Sequence, residues 1–132
     1  MNWGDFELAA PELARFGRER LVGQVSYLAT TRRDGSPRVH PVTPIIGDKR
    51  LFLFMDPSSP KGHDLQRDPR YALHCAVADT NAGAGEFLCC GTAFVVHDPE
   101  LVVEATAASS YTPADRYILF ELSVLEVVAY LK

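Results

Sequence analysis

The chain has 132 residues, which suits one compact domain, residues 1–132, with a single hydrophobic core. Its residues are 47% hydrophobic and 23% charged with a formal net charge of −4, and the absence of a long basic run excludes a general nucleic-acid surface. No apolar stretch reaches membrane-spanning length, and the N-terminus lacks the basic and apolar regions of a signal peptide. We therefore expect a cytoplasmic protein.

In chain order, the sequence predicts a mainly β protein with short helices. An N-terminal helical segment occupies residues 1–22, with its clearest helical pattern at 10–22. Turn signals, above all Asp34-Gly35, then separate runs of strand-forming residues. We expect short helices at 60–67 and 98–110, and six strands at 25–31, 38–46, 50–55, 71–78, 87–97 and 117–132. Because a closed sheet has no exposed edges, these strands predict a small antiparallel barrel.

Three features inside the predicted strands carry positional information. Pro41 and Pro44 indicate that the second strand is an edge strand, contains a bulge, or has its hydrogen-bond ladder interrupted where a ligand binds. Gly91 predicts a bulge or bend in the fifth strand, which follows a flexible hairpin loop at 79–86. In the last strand, alternation predicts that one side faces the core, namely Ile118, Phe120, Leu122 and Val124.

The cysteines and histidines do not form a pattern typical of metal binding or redox chemistry. Cys75, Cys89 and Cys90 lie in apolar runs, which favours their interpretation as small buried hydrophobic residues. No histidine or cysteine has the spacing of a zinc site, so we expect no metal. His74 is interpreted as a hydrogen-bonded barrel residue and His97 as a solvated one.

The helix predicted at 60–67 begins with a cation in an unfavourable place. Ser59 is a typical N-cap and Pro60 a typical first helical residue, which places Lys61 at the positive end of the helix dipole. A cation there costs about 0.3–1 kcal/mol. One explanation is that an anion binds at this helix end.

A second cation can converge on the same place. Arg38 and His40 share a face of the second strand, and if the third strand pairs with the second, its end at 54–55 lies near Arg38. Arg38, Ser59 and Lys61 can then bind one anion together with free helix N–H groups. The alternative is that the two cations are solvated and pair with Asp56 or Asp64.

At this point two segments, LATTRRDGSPRVHPVTPII and LFLFMDPSSPKGHDLQRDPRYALHC, resemble the pyridoxamine 5′-phosphate oxidase-like FMN-binding split β-barrel family. The shared pattern is a DGxP turn, a strand with PV, an SxK segment and DPR before a strand. These motifs lie at 34–37, 41–42, 59–61 and 68–70. The resemblance covers about residues 21–132, and its specific part is 28–75.

The resemblance implies a split β-barrel that works as a homodimer, with FMN or the deazaflavin F-420 in a groove at the subunit interface. It assigns the cofactor phosphate to Arg38, Ser59 and Lys61. It places the flavin ring along His40, Pro41 and Val42, with Phe54 and Met55 nearby. The sequence departs from the family pattern at Met55, Ser59 and Asp64, where Thr, a basic residue and Asn are common.

The function that the resemblance implies is an FMN-dependent oxidoreductase that acts on a small molecule. The chain ends at Lys132 without the longer C-terminal segment of true pyridoxamine phosphate oxidases, so we do not expect the vitamin-related reaction. No general acid or base can be named, although Tyr27, Tyr111 and His40 are available donors.

Three alternatives stay open at this stage. The first is a deazaflavin-dependent reductase, whose polyglutamyl cofactor tail Arg32 and Arg33 could bind. The second is a non-catalytic flavin or haem carrier, with His40 or His63 as the haem ligand. The third is a dimer that has lost its cofactor.

Large side chains also predict the homodimer. The last strand, together with Phe87, Phe94, Phe120 and Tyr130, supplies more apolar bulk than a small barrel can enclose. We expect the excess to form an interface of obligate type, above about 2,000 Å² in total.

Overall fold

The computed structural model describes residues 1–81 and 83–131. The helices are α1 (Trp3–Ala9), α2 (Pro11–Leu21), α3 (Pro60–Arg67) and α4 (Pro99–Ala108). The strands are β1 (Ser26–Thr31), β2 (Pro37–Val42), β3 (Ile45–Ile46), β4 (Leu51–Met55), β5 (Arg70–Cys75), β6 (Glu86–Val96), β7 (Ile118–Leu122) and β8 (Glu126–Tyr130). Within these residues, no helix is long and apolar enough to cross a membrane. The loop predicted at 79–86 and the strand predicted at 117–132 each include one residue, Ala82 and Lys132, outside the described part.

The strands form one antiparallel sheet that curls into a half-barrel, as expected. Their order is β2-β1-β5-β6-β7-β4-β3, and β8 pairs with β6 beside this path. The two ends of this path, β2 and β3, are consecutive in the chain and are separated only by Thr43 and Pro44. Because Pro44 has no N–H to donate, the ladder is interrupted where these two strands meet. The barrel is therefore split at this point, and β2 is an edge strand, one of the outcomes that its prolines predicted.

Six strands were predicted and residues 1–81 and 83–131 form eight, because two of the predicted strands are broken. The strand expected at 38–46 divides into β2 and β3 at Thr43-Pro44. The strand expected at 117–132 divides at Ser123, whose backbone N–H and hydroxyl both bond to the carbonyl of Thr92. Gly91 lies beside this break, and a Cβ there would approach the Ser123 carbonyl to 2.0 Å. The bend predicted at Gly91 is the point where β6 changes partners, from β8 to β7.

The expected pairing of the second predicted strand with the third is present only at the end of the second, Ile45–Ile46, and not beside Arg38. β4 pairs with β3 on one side, through Ile45 opposite Phe52, and with β7 on the other. β2 pairs with β1. The break at Pro44 lets the short β3 take the place beside β4 that the longer predicted strand would have filled.

Two hydrophobic clusters hold the structure together. The larger fills the barrel and includes Phe120, Leu122 and Val124, so the predicted core side of the last strand is confirmed. The smaller lies on the opposite side of β4 and β7, where α4 places Ala105 against Leu119 and Phe52. β4 is buried on both faces for this reason, as its continuous apolar run predicted.

One end of the barrel is closed by α1 and α2. Both helices lie within the N-terminal helical segment predicted at 1–22, and α1 begins at an Asn2 side chain that accepts from the Asp5 N–H. Trp3 and Phe6 of α1 pack against Phe87 of β6, with ring centroids 6.0 and 6.4 Å from the Phe87 ring. Phe87 is fully buried as a result, and so is Phe120. A single chain thus encloses these two side chains, although they were predicted to be part of the apolar bulk that a small barrel cannot enclose. Phe94 and Tyr130, from the same predicted set, are exposed.

Candidate functional site

The segment that joins β4 to α3 forms a tightly bonded turn. The Ser59 hydroxyl accepts from the Gly62 N–H at 3.1 Å and donates to the Asp56 carbonyl at 2.7 Å, so it caps α3 as predicted. A Cβ on Gly62 would lie 2.4 Å from the Asp56 carbonyl, so this close approach requires glycine. Asp56 in turn accepts from the N–H and hydroxyl of Ser58 at 2.9 and 2.7 Å. The start of α3 is therefore fixed by hydrogen bonds within residues 56–62.

Lys61 lies in the first turn of α3 and is half-buried. It forms no ion pair with any residue in 1–81 or 83–131. Burial lowers the pKa of Lys61, and the negative charge of Asp56 only partly opposes this effect. The protein thus holds a cation at a helix N-terminus where the fold alone disfavours it, which is the situation that a bound anion would relieve.

Arg38 reaches the same helix through a buried carboxylate. Its Nε donates to Oδ2 of Asp64 at 2.7 Å, and the Thr30 hydroxyl donates to the same oxygen at 2.8 Å. Arg67 donates to the other oxygen, Oδ1, at 3.2 Å. Burial alone would raise the pKa of Asp64, but the hydrogen bonds from Arg38, Thr30 and Arg67 lower it overall, so the carboxylate is ionised. One of the two pairings considered as alternatives to an anion site, Arg38 with Asp64, is therefore present.

This pairing leaves most of the Arg38 guanidinium available. Arg38 bonds to Asp64 through Nε, and its two Nη groups donate no hydrogen bond within the described residues. A pair of Nη groups is the fork that binds carboxylates and phosphates through two parallel bonds. Ser59 differs, because its single hydroxyl proton is already donated to the Asp56 carbonyl. As candidate phosphate donors, Arg38 and Lys61 are thus better placed than Ser59.

The strand register places the other site residues of β2. Arg38 lies opposite Thr30 and His40 opposite Leu28, so both point to the barrel side of the sheet, and Val42 does the same. Pro41 lies opposite Tyr27 and points to the other side. His40 is exposed, and its Nδ1 bonds to the Pro41 carbonyl at 2.8 Å.

Two other predicted site residues, Phe54 and Met55, are buried in the hydrophobic clusters. The Phe54 side chain is covered by α4 in the smaller cluster, and Met55 is fully buried in the larger one. Their predicted proximity to Arg38 relied on a pairing between β2 and β4 that does not exist. The structure brings Arg38 close to α3 by a different route, through Thr30 and Asp64.

Thr30 and Arg67 were not recognised from the sequence. The spacing of Asp64 and Arg67, three residues apart on a helix, is typical of an ion pair and could have indicated the second contact. Thr30 could be found only once the register between β1 and β2 is known, because its role depends on lying opposite Arg38.

The side of the sheet that faces away from the barrel carries apolar residues in two rows across five strands. We call this surface the outer face. Directly opposed residues on neighbouring strands point to the same side of a sheet, so the printed register defines the rows. One row is Val39, Ala29, Ala72 and Cys90 and ends at Glu126 of β8, and the other is Pro41, Tyr27, His74, Leu88 and Val128, so Glu126 and His74 are the two polar members. Tyr27, Val39 and Val128 are 46%, 64% and 44% exposed, so a large part of this apolar surface is open in the single chain.

The remaining candidate groups have structural explanations. Burial raises the pKa of the Cys89 thiol to about 12 and also raises that of Cys90, so neither is a thiolate nucleophile at neutral pH. His74 bonds to the Cys75 carbonyl and to Glu86, as expected for a satisfied histidine, and His97 is exposed. No three His, Cys, Asp or Glu residues in the described ranges converge in a way that could hold a metal.

A separate concavity lies elsewhere on the surface. It has a volume of about 620 Å³ and is located between α1, α2 and the turn before β4. Its walls carry charges of both signs, including the Arg18–Glu7 ion pair, and none of the predicted site residues lines it. The candidate anion-binding cations instead lie on β2, at Arg38, and at the start of α3, at Lys61.

Solved structures similar to this one share its fold. A conserved hypothetical protein from Mycobacterium tuberculosis has a TM-score of 0.73 at 20% identity, over 92% of this chain and 83% of that one. HutZ, the haem storage protein from Vibrio cholerae, has a TM-score of 0.68 at 18% identity, over 93% and 94%. An F420 reductase has a TM-score of 0.65 at 18% identity, over 84% and 94%.

At these identities the likeness concerns the fold alone. No curated protein matched the chain in sequence. The sequence does match a family model, that of pyridoxamine 5′-phosphate oxidase, over residues 19–129, which runs from before β1 to the next-to-last residue of β8. With its split barrel, the chain therefore belongs to the pyridoxamine 5′-phosphate oxidase family.

Proposed function

We propose that this protein binds FMN and acts as an FMN-dependent oxidoreductase on a small molecule. The observation that carries the proposal is the pair of available cations beside the open edge of β2. Arg38 is anchored at Nε with both Nη groups free, and Lys61 is half-buried without an ion pair among the described residues. Two such cations beside a helix N-terminus match the needs of a phosphate monoester.

The charge around this place also favours an anion. Asp64 is the nearest acidic group to Arg38, and it is neutralised by two guanidinium groups, those of Arg38 and Arg67. Asp56 is bonded to Ser58 and to Arg116 at 3.0 Å. Both carboxylates are thus paired with guanidinium groups, so they only partly offset the positive charge of Lys61 and of the open end of Arg38. The acidic residue at position 64 is compatible with a phosphate beside it.

We further propose that two copies of the chain form the flavin groove. A flat isoalloxazine ring needs two walls, and the exposed edge of β2, with His40 on one side and Pro41 on the other, offers one. The outer face next to it is largely apolar, with His74 and Glu126 as its polar members, and would be buried by a second copy. The chain's contribution is then to hold the phosphate, orient the ring and exclude water. The flavin, when bound, supplies the hydride chemistry.

The experiment that tests the proposal is a titration of the purified protein with FMN, deazaflavin F-420 and haem, followed by absorption spectroscopy. We expect saturable FMN binding and bleaching of the flavin band when a nicotinamide donor is added. Saturable binding without reduction by any nicotinamide donor would support a flavin carrier. Absence of FMN binding would reject the proposal.

A deazaflavin-dependent reductase is the second candidate, and one contact favours it. Arg67 donates to the Thr31 carbonyl, immediately before Arg32 and Arg33 in the β1–β2 turn. A strip of cations therefore continues from Arg38 past Arg67 to that turn, in a place where a polyglutamyl tail could bind. The solved F420 reductase with this fold is consistent with such a use. Tighter binding of F-420 than of FMN would favour this candidate.

A haem-binding role is the third candidate. The Nδ1 of His40 donates to the Pro41 carbonyl, which leaves Nε2 as the free ring nitrogen on an exposed side chain. A haem storage protein shares this fold. A Soret band that shifts in a His40→Ala or a His63→Ala variant would support this role, and His97→Ala, at another exposed histidine, serves as the matched control.

A further inference from the structure

Asp64 is an unusual residue for the middle of an exposed helix. It is only 3% exposed and points into the barrel wall, although α3 has solvent on its other side. A buried carboxylate is costly unless it is paired and hydrogen-bonded, and here three donors from two strands and the helix converge on it. The carboxylate thus connects β1, β2 and α3.

The geometry of the contact with Arg38 is specific. A carboxylate and a guanidinium often form two parallel bonds, which would occupy Nε and one Nη. In this protein Oδ2 takes Nε of Arg38, and Oδ1 is taken by Arg67. Asp64 thus makes a single bond to Arg38, and its other oxygen is turned to Arg67. The consequence is an arginine whose direction is fixed and whose Nη fork remains open.

We infer that Asp64 is a positioning residue for phosphate binding, which acts by holding Nε of Arg38 so that both Nη groups face the bound anion. The inference rests on the proposed function. For the change in phosphate affinity when Asp64 is removed, it predicts the opposite sign from simple electrostatics. A carboxylate close to a phosphate should weaken binding, so its removal should strengthen binding. A positioning carboxylate should do the reverse, because an unanchored arginine must be ordered when the phosphate binds.

The experiment compares dissociation constants for FMN and riboflavin, which lacks the phosphate, at one salt concentration. The variants are Asp64→Ala, Asp64→Asn, Arg38→Ala and the Arg38→Ala/Asp64→Ala double variant. We expect Asp64→Ala to weaken FMN binding roughly three- to tenfold and to leave riboflavin binding unchanged. In the Arg38→Ala background the same change should have no effect or should strengthen FMN binding, because the residue to be positioned is absent.

Two further variants make the test specific. Asp68→Ala removes a carboxylate at the C-terminal end of the same helix, α3. Asp68 pairs with Arg70 and not with Arg38. We expect it to change FMN affinity less than about twofold, since exposed ion pairs contribute little. Asp64→Asn replaces Asp64→Ala in the test if the latter fails to fold, since Asn keeps the shape of the Asp side chain. We expect it to weaken FMN binding and to leave riboflavin binding unaffected.

The outcomes separate the two proposals. Equal or tighter FMN binding by both folded Asp64 variants, or an equal loss with and without Arg38, would overturn the positioning role while Arg38→Ala still weakens FMN binding. If Arg38→Ala itself leaves the difference between FMN and riboflavin unchanged, the proposed phosphate site is wrong, and the positioning role is rejected with it.

Discussion

Arg38 of edge strand β2 donates its Nε–H to the buried Oδ2 of Asp64 in α3 across 2.7 Å. This bond joins residues 26 positions apart and fixes the open edge of the sheet relative to the helix that carries Lys61. Lys61 and Asp64 are three residues apart, so they lie on the same side of α3 in adjacent turns. The bond therefore holds the two proposed phosphate ligands in one region, although no strand pairing connects them.

Replacement of Lys61 by Ala should weaken FMN binding without unfolding the protein. A charge-assisted contact is worth about 1.5–3 kcal/mol, so we expect roughly a ten- to hundredfold loss of affinity. Riboflavin binding should hardly change. Because burial lowers the pKa of Lys61, the fold disfavours its charge, and the stability of the protein without cofactor should hold or rise slightly. Lys49→Ala, an exposed lysine in the turn before β4, is the control and should alter neither affinity. Equal losses for FMN and riboflavin would mean that Lys61 does not contact a phosphate.

Asp56 should make the stability of the protein depend on acid pH. Its bonds with Ser58, and then its bond with Arg116, lower its pKa from 3.8 to about 2. A lowered pKa stabilises the fold above pH 3.8, and this contribution disappears as the pH falls through 2. Asp56→Asn should thus be less stable than the wild type at neutral pH, and the difference should vanish between pH 4 and pH 2. Urea unfolding across that range measures it, with the exposed Asp115→Asn as a control. A difference independent of pH would contradict the assignment.

An acidic residue on the outer face should dissociate the proposed homodimer. Val128 lies in the second apolar row and is 44% exposed in the single chain. In a dimer that buries this row, Val128→Asp would place an unpaired charge in the interface, which costs several kcal/mol. Sedimentation should then show a monomer. Leu8→Asp introduces the same charge at an exposed leucine of α1, away from the outer face, and should leave the dimer intact. A wild-type protein that is monomeric at micromolar concentration would reject both the interface and the groove.

Two phenylalanines of β6 should differ sharply in their contribution to stability. Phe87 is fully buried against Trp3 and Phe6, so Phe87→Ala should cost about 3–5 kcal/mol in the free energy of unfolding. Phe94 is 50% exposed, and Phe94→Ala should cost about 1 kcal/mol or less. Urea denaturation of both variants checks this. Similar losses would show that Phe94 is also enclosed, for instance by a second copy of the chain.

Most of the fold could be predicted from the sequence, because its signals are local. The caps at Ser59 and Asp98, the alternation of the last strand and the apolar run of β4 each depend on a few neighbouring residues. The break in the last predicted strand was missed because it depends on residues that are distant in the chain. β7 and β8 separate at Ser123 because Thr92 and Gly91, about 30 residues earlier, bend β6 at that point. A single-sequence pattern does not contain that contact.

The candidate site was predictable only in part, for a related reason. Arg38, Ser59 and Lys61 could be identified because helix-capping chemistry and the family resemblance both point to them. The state of each group could not be predicted, because it depends on partners distant in the chain. The charge of Asp64 is neutralised by Arg38 and Arg67, and the Ser59 hydroxyl donates a hydrogen bond to the Asp56 carbonyl. Phe54 and Met55 were assigned to the ring by the resemblance, and only their expected closeness to Arg38 depended on a pairing of β2 with β4 that the break at Pro44 prevents.

The most direct test of the phosphate site is the ratio of the riboflavin and FMN dissociation constants, measured by fluorescence titration for the wild type and for Arg38→Ala. The two ligands share the ring and differ in the phosphate, so the ratio isolates the contribution of the cations. We predict that the wild type binds FMN at least about tenfold more tightly than riboflavin, and that Arg38→Ala removes most of this preference. Equal affinities for the two ligands in the wild type, or a preference that survives in Arg38→Ala, would contradict a phosphate site at Arg38.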